Sequence, residues 1–499
     1  MNLMLILDMA ASGFGERVAV GDAKAGMTYA ELYELAGKTA SWLRSQPGER
    51  LLYTDVASPV LPVALFGASW AGRPYTPLNY RLSDDRLRAL VERQAPATLL
   101  CGAGTEDRVE GIDGVAVLPV DELLATVAAF DVPEADWAND PEDVGVLLHT
   151  SGTSGEPKVA VLRQKHLVSY VFGSVEYMGA GEDEATLVTV PPYHIAGTAA
   201  VLTSVYAGRR IIQLPSFEPK EWVQVAREQR VTHAMVVPTM LARILEVLED
   251  GQGLPDLRHL SYGGGRMPLP VIERALELIP HVNFVNAYGL TETSSSIAIL
   301  GPDDHRAALA SDDPSVRARL GSVGRPLPTV VIEIRDPEGN PLPPGERGEI
   351  WVSGEQVSGE YAKRRSGEAG GWFQTNDGGY FDEEGFLFVE GRLDDVIVRG
   401  GENLSPGEIE DVLLHHDTVL EACVVGIPDD EWGEVVAAVV VLNDNTKATE
   451  VELSEWVVAH LRSSRRPSIV EFRTELPYSD TGKVLRRVLR EELSRAHQP

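Results

Sequence analysis

Two cysteines in 499 residues are too few for a disulfide framework. Cys101 ends an apolar run that starts at Ala97, and Cys423 precedes Val424 and Val425; both placements suit buried thiols in a reducing compartment, so the cytoplasm is the expected location. No apolar run approaches the length that spans a bilayer, and the apolar first residues lack a basic leader and are broken by Asp8, which reads as neither signal peptide nor anchor. Basic residues are scarce too: 44 Lys and Arg against 75 Asp and Glu leave a formal charge of −31. That balance argues against nucleic acid or a membrane surface as partner and points to small molecules. Only eight of the basic residues are lysines, so each retained lysine carries more information than usual.

What is present is ordinary globular material, 43% apolar and 24% charged, in a chain longer than a single core supports. Two or more domains are expected. Thr28 and Glu31 form a capping-box pattern ahead of Leu32, Leu35, Ala36, Ala40 and Leu43, which predicts a helix packed on a sheet. Short β-rich runs (144–148, 187–190, 211–214) alternate with helical stretches (221–229, 240–248), the pattern of α/β layers. Strands at 329–334 and 348–352 lie in or just after a loop-rich stretch of Asp, Pro, Gly and Arg, a β-rich subregion. After Asp394 a compact pattern follows, with a helix at 406–414, strands at 419–425 and 435–442 and a helix at 450–462. The expected fold is α/β: a large multi-layer N-terminal domain (1–393) with parallel-rich sheets, and a small mobile α+β C-terminal domain (394–499). Internal repeats and low-complexity tracts are absent.

The clearest chemical signal is Thr150, Ser151, Gly152, Thr153, Ser154, Gly155, Glu156, Pro157 and Lys158, directly after the strand run 144–148. Small residues let the backbone wrap a polyphosphate, hydroxyls and amides donate hydrogen bonds, and Lys158 adds charge. A plain solvated turn needs fewer such residues. The loop of P-loop NTPases requires Gly-Lys-Ser/Thr opening a helix, whereas here Pro157 precedes the lysine and the strand-like run 159–162 follows.

This loop resembles the signature of the adenylate-forming superfamily of acyl- and aryl-CoA synthetases, peptide-synthetase adenylation domains and luciferases. Further segments resemble that family in the same order: Pro191 to Gly197, Ser261 to Gly265, Asn286 to Thr293, Asp377, Gly391 with Arg392, Gly400 to Asn403, and Leu476 to Lys483. The resemblance implies ATP, Mg2+ and CoA as the small molecules used. It assigns ATP to Thr150 through Gly155, Lys158, Gly263, Gly264, Gly265, Asn286, Ala287, Tyr288, Gly289, Thr291, Asp377 and Arg392. Mg2+ falls to Glu292 and Thr153, the hinge to Asp394, and CoA contacts to Gly400, Gly401, Glu402 and Trp432, with Arg399 a weaker candidate. Tyr193, His194, Val236, Val237, Gly265 and Ser294 would line the acid pocket.

The chemistry explains the demand for these residues. A carboxylate attacking the α-phosphorus of ATP brings one anion to another, so cations and positioned donors matter most. Lys483 on a Thr-Gly-Lys loop is the expected catalytic cation, assisted by Glu292, with His194 as a pocket or gating group. No evident cation awaits a second carboxylate, and no Asp awaits an amine, which favours an aryl or medium acyl monocarboxylic acid. Three departures from the family pattern concern loop geometry: Val159 after Lys158, Glu156 within the loop, and Asn376, where glycine is usual before Asp377. Asn tolerates left-handed backbone, so the Asp377 turn should survive. A carrier-protein thiol, an amine or another nucleophile as acceptor, and a nucleotide-binding protein without catalysis, are the competing readings.

Overall fold

A computed structural model describes residues 1–150, 158–248, 251, 253–361, 364–365, 371–429, 431–479 and 483–497. Ser151, Gly152, Thr153, Ser154 and Gly155 therefore lie outside the described residues.

Two large sheets organise the N-terminal domain. One runs, edge to edge, Arg325–Pro326, Ser295–Leu300, Asn283–Leu290, His259–Gly263, His233–Val236, Ala185–Val188, Arg210–Gln213, Val18–Val20 and Met27–Thr28. Its central strands pair in parallel. The other contains Leu51–Thr54, Tyr75–Pro77, Ala97–Cys101 and Val115–Pro119 in parallel, then the antiparallel pair Val144–Thr150 and Lys158–Arg163. Parallel strands buried on both faces need unbroken apolar runs, and Leu51 to Thr54 and Ala97 to Cys101 are buried at every position. The predicted capping box is formed: the Thr28 side chain accepts from the Glu31 amide, and Glu31 accepts from that of Thr28. The helix it starts, Tyr29–Ser45, differs from expectation in its packing. Its chief neighbours are the helices Val60–Ala71 and Met4–Phe14, because Val60 to Trp70 is apolar almost all round and must be covered on every side. Together these helices fill the layer that the larger core occupies.

A four-stranded antiparallel sheet (Val330–Arg335, Gly348–Gly354, Phe373–Phe381, Leu387–Arg392) forms the β-rich subregion. The C-terminal domain is built on Val419–Asp429 and Gly433–Leu442, joined by Ile397–Arg399, Glu402–Leu404 and Ile469–Arg473. Alternation along these strands feeds two cores. Val424, Val436, Ala438 and Val440 face Ile409, Leu413, Leu453 and Val457, whereas Cys423, Val425, Ala437 and Val439 face Leu489 and Leu493. Cys101 and Cys423 are buried and unbridged. No helix among the described residues is long and apolar enough to cross a membrane.

Candidate active site

The topology gathers segments that are far apart in sequence. His233–Val236, His259–Gly263 and Asn283–Leu290 are parallel and in register, Val236 beside Tyr262 and Gly263 beside Ala287, so their carboxyl ends share one edge. Crevices at such edges are where open α/β sheets bind ligands. That edge brings together Val237, Gly263 to Gly265, and Ala287 to Gly289. Close approach explains the glycines: a Cβ on Gly263 would lie 2.3 Å from the Ala287 carbonyl oxygen, and one on Gly289 would lie 1.9 Å from that of Ser295. Gly289 sits at an irregularity in pairing that turns the chain into Thr291–Thr293.

Asp377 and Arg392 face one another across the small sheet. Arg392 Nε is 3.2 Å from Asp377 Oδ1, and its Nη1 donates to the Thr375 carbonyl at 2.7 Å. Tyr288 donates its hydroxyl to Asp377 Oδ2 at 2.5 Å. Burial raises the Asp377 pKa against the lowering pull of Arg392, Tyr288 and Lys483, and Glu292 adds to the rise. Asn376 takes φ 63°, the left-handed backbone that Asn tolerates, and donates to Asp394 at 3.2 Å.

Lys483 arrives from the C-terminal domain. Tyr478 anchors its loop by donating to Glu421 at 2.6 Å, and Ser479 and Lys483 exchange hydrogen bonds. The Lys483 Cε lies 3.7 Å from where Gly264 would carry a Cβ. Although the residue keeps contact with water, loss of hydration lowers its amine pKa; Arg392 adds to that and Asp377 opposes it. A cation thus lies within electrostatic reach of the Asp377–Arg392 pair. His194 caps Ile195–Ala207 by accepting the Ala196 amide on Nδ1 at 3.2 Å. Burial, and then Lys483, pushes its pKa down to about 4, so it is neutral at ordinary pH.

Glu292 is buried, and no Lys or Arg among the described residues pairs with it; the Tyr361 hydroxyl donates to its Oε1 at 2.5 Å. A buried carboxylate whose partner is a neutral hydroxyl fits a hard divalent cation shared with phosphate oxygens. Thr150 and Lys158 face each other at the ends of the phosphate hairpin, and the Lys158 ammonium lies 5.4 Å from the centre of the Tyr361 ring. Among the described residues, no group of three His, Cys, Asp or Glu could hold a metal.

Two expected pocket residues are placed otherwise. Val236 is wholly enclosed in the core, since adjacent strand residues point to opposite faces and Val237 is the one near Gly264. Ser294 is wholly enclosed and donates its hydroxyl to the Gln356 carbonyl. Asn286 spends its amide on the Ser322 carbonyl at 2.9 Å. Tyr193 packs edge-on against Tyr80, with ring centres 5.6 Å apart; Tyr80 belonged to no motif. The CoA candidates form a cluster of their own: Gly400 and Gly401 (φ 57° and 83°) close a hairpin beside half-exposed Trp432, Arg399 lies over that indole, and Glu402 pairs with Arg465.

The sequence model described as AMP-binding enzyme matches residues 7–362, and that of the AMP-binding enzyme C-terminal domain matches 408–483. The chain is 32% identical over 473 residues to a feruloyl-CoA synthase of an Amycolatopsis species, covering 92% of each chain. It is 30% identical over 484 residues to the fatty acid–[acyl-carrier-protein] ligase ScoC of Streptomyces coeruleorubidus, covering 93% of this chain and 91% of that one. Among solved structures, o-succinylbenzoate CoA synthetase from Bacillus subtilis, in complex with its acyl-adenylate intermediate, superposes with a TM-score of 0.84 at 30% identity over 97% of both chains.

Proposed function

The chain belongs to the AMP-binding enzyme family, and from that membership we propose how its residues divide the work of activating a carboxylic acid. It is an AMP-forming acid–thiol ligase. The acid's carboxylate oxygen attacks the α-phosphorus of ATP, pyrophosphate leaves, and the acyl-adenylate is then attacked at its carbonyl carbon by the CoA thiol, releasing AMP. The observation that carries the assignment of roles is Lys483 crossing from the other domain to Gly264, opposite Asp377 and Arg392.

Lys483 neutralises the charge that builds between the acyl oxygen and the α-phosphate, where a positioned cation in a desolvated site counts most. Asp377, steadied by Tyr288 and Arg392, accepts the ribose hydroxyls. The turn of Gly263 to Gly265, with Ala287 and Tyr288, walls the adenine. Glu292 would hold Mg2+ together with phosphate oxygens, and the ion would offset the phosphate charge. Lys158 and Thr150 face the phosphates from the hairpin. Thiolysis needs Lys483 withdrawn and a path for the pantetheine arm, which we assign to a swing of the C-terminal domain about Asp394 that presents the Gly400–Gly401 hairpin and Trp432. Tyr193, which packs on Tyr80, neutral His194, Val237 and Gly265 are the uncharged residues we assign to the acid pocket, a lining that would suit an aryl or medium acyl monocarboxylic acid. The buried, unbridged thiols suit the cytoplasm.

One observation favours a second acceptor: the similarity to ScoC admits a carrier-protein thiol in place of CoA. A panel of carboxylic acids, assayed for pyrophosphate release with and without CoA and with products identified by mass, tests both. Acid-dependent pyrophosphate with acyl-CoA and AMP is expected; an acyl-adenylate that CoA leaves untouched would transfer the role to the carrier thiol.

A further inference from the structure

Tyr361 stands where three elements of the site meet. Its hydroxyl donates to Glu292 Oε1 at 2.5 Å, and the Lys158 ammonium lies 5.4 Å from the centre of its ring. One side chain therefore touches both the carboxylate assigned to Mg2+ and the lysine assigned to phosphate. Its strand is braced from both sides. Tyr361 pairs with Ala160 of the phosphate hairpin. The preceding Glu360 receives two hydrogen bonds from Arg163, from Nε and Nη2, both at 2.9 Å. That pair is fork-to-fork and largely shielded, the geometry in which an ion pair fixes position. Ser358 donates its hydroxyl to the Val161 carbonyl, and its amide donates to the Glu292 carbonyl at 2.8 Å. Residues 358 to 361 thus tie the hairpin to the turn that carries Glu292.

We propose that Tyr361 is a positioning residue for adenylation: its hydroxyl aims the Glu292 carboxylate at the metal, and its ring seats Lys158 beside the phosphates. The inference rests on Glu292 as the metal carboxylate. A carboxylate with one oxygen fixed by a hydroxyl turns its remaining lone pairs in a fixed direction, and outer partners of this kind commonly change metal affinity by about 10- to 100-fold when removed. Phe at this position keeps the ring, and with it the attraction for Lys158, so the two duties separate.

The experiment is calorimetric titration of the full-length enzyme with ATP in EDTA and with Mn·ATP, for wild type, Tyr361→Phe, Tyr361→Leu and Glu292→Gln. Tyr361→Phe is expected to keep metal-free ATP affinity within twofold and to lose about tenfold of the increment that the metal adds. Tyr361→Leu should also weaken metal-free binding by a few fold. Thermal midpoints and circular dichroism of the Phe variant should match wild type. An unchanged metal increment in Tyr361→Phe, or equal losses with and without metal, overturns the inference. If Glu292→Gln keeps the full increment, the metal assignment itself fails and the inference with it. If only Glu292→Gln loses it, the metal assignment stands and the Tyr361 role is refuted.

Discussion

Arg266 follows the glycine turn assigned to ATP and reaches across to the C-terminal domain, where it pairs with Asp411 and lies against Gly407 so closely that a Cβ there would be 1.7 Å from its Nη1. In this arrangement the pair is formed while Lys483 lies at Gly264. Burial, partly offset by Arg266, raises the Asp411 pKa from 3.8 to about 6, with Glu410 adding to the rise. That shift corresponds to about 3 kcal/mol against the ionised form in the seated arrangement. The sign follows from a raised carboxylate pKa: the cost of ionising Asp411, which opposes this arrangement, sets in as pH rises past 3.8 and is complete above about 6. Arg266→Gln removes the compensating cation, so the opposition grows at neutral pH. Asp411 is well shielded but Arg266 is 36% exposed, which screens the pair to about 1–2 kcal/mol rather than the 3–5 of a fully buried one. Acid-dependent pyrophosphate exchange in Arg266→Gln, as a ratio to wild type, should fall roughly 5- to 30-fold at pH 8 and recover towards unity near pH 5.5. Asp411→Asn on the same background should restore the ratio at pH 8. A ratio that is flat with pH, or a double variant no better than the single, refutes the reasoning.

Gly289→Ala places a Cβ 1.9 Å from the Ser295 carbonyl oxygen, a backbone atom that cannot step aside, and should cost about 1–3 kcal/mol in denaturant unfolding; an unchanged midpoint contradicts the packing argument. Asp394→Pro should leave adenylate formation near normal while slowing thioester formation at least tenfold, by stiffening the pivot; normal thioester turnover in that variant removes Asp394 from the swing.

Features set by local chemistry were legible in the sequence. The Thr28–Glu31 cap, the strand after Lys158 and the C-terminal strands each follow from a few adjacent residues. The ordered motifs named Lys483, Asp377 and Glu292 as candidates, because the chemistry assigned to them demands those residue types beside glycines. The placement of Val236 depended on strand phase, which a one-residue step inverts, and neighbouring Val237 took the position near the site. Tyr361, Arg266 and Asp411 carried no local signal: a tyrosine after Glu360 and an arginine after Gly265 acquire meaning only when distant strands pair and two domains meet. The enclosure of Ser294 was hidden for the same reason, since its hydroxyl bonds to the distant Gln356 carbonyl.

The central claim is that Lys483 supplies the cation for adenylation and steps away for thiolysis. Lys483→Ala, assayed for both half-reactions, tests it most directly. Acid-dependent adenylate formation should fall by about two orders of magnitude or more, while thiolysis of supplied acyl-adenylate by CoA stays within a few fold of wild type. Equal loss in both half-reactions, or adenylation that survives, would contradict it.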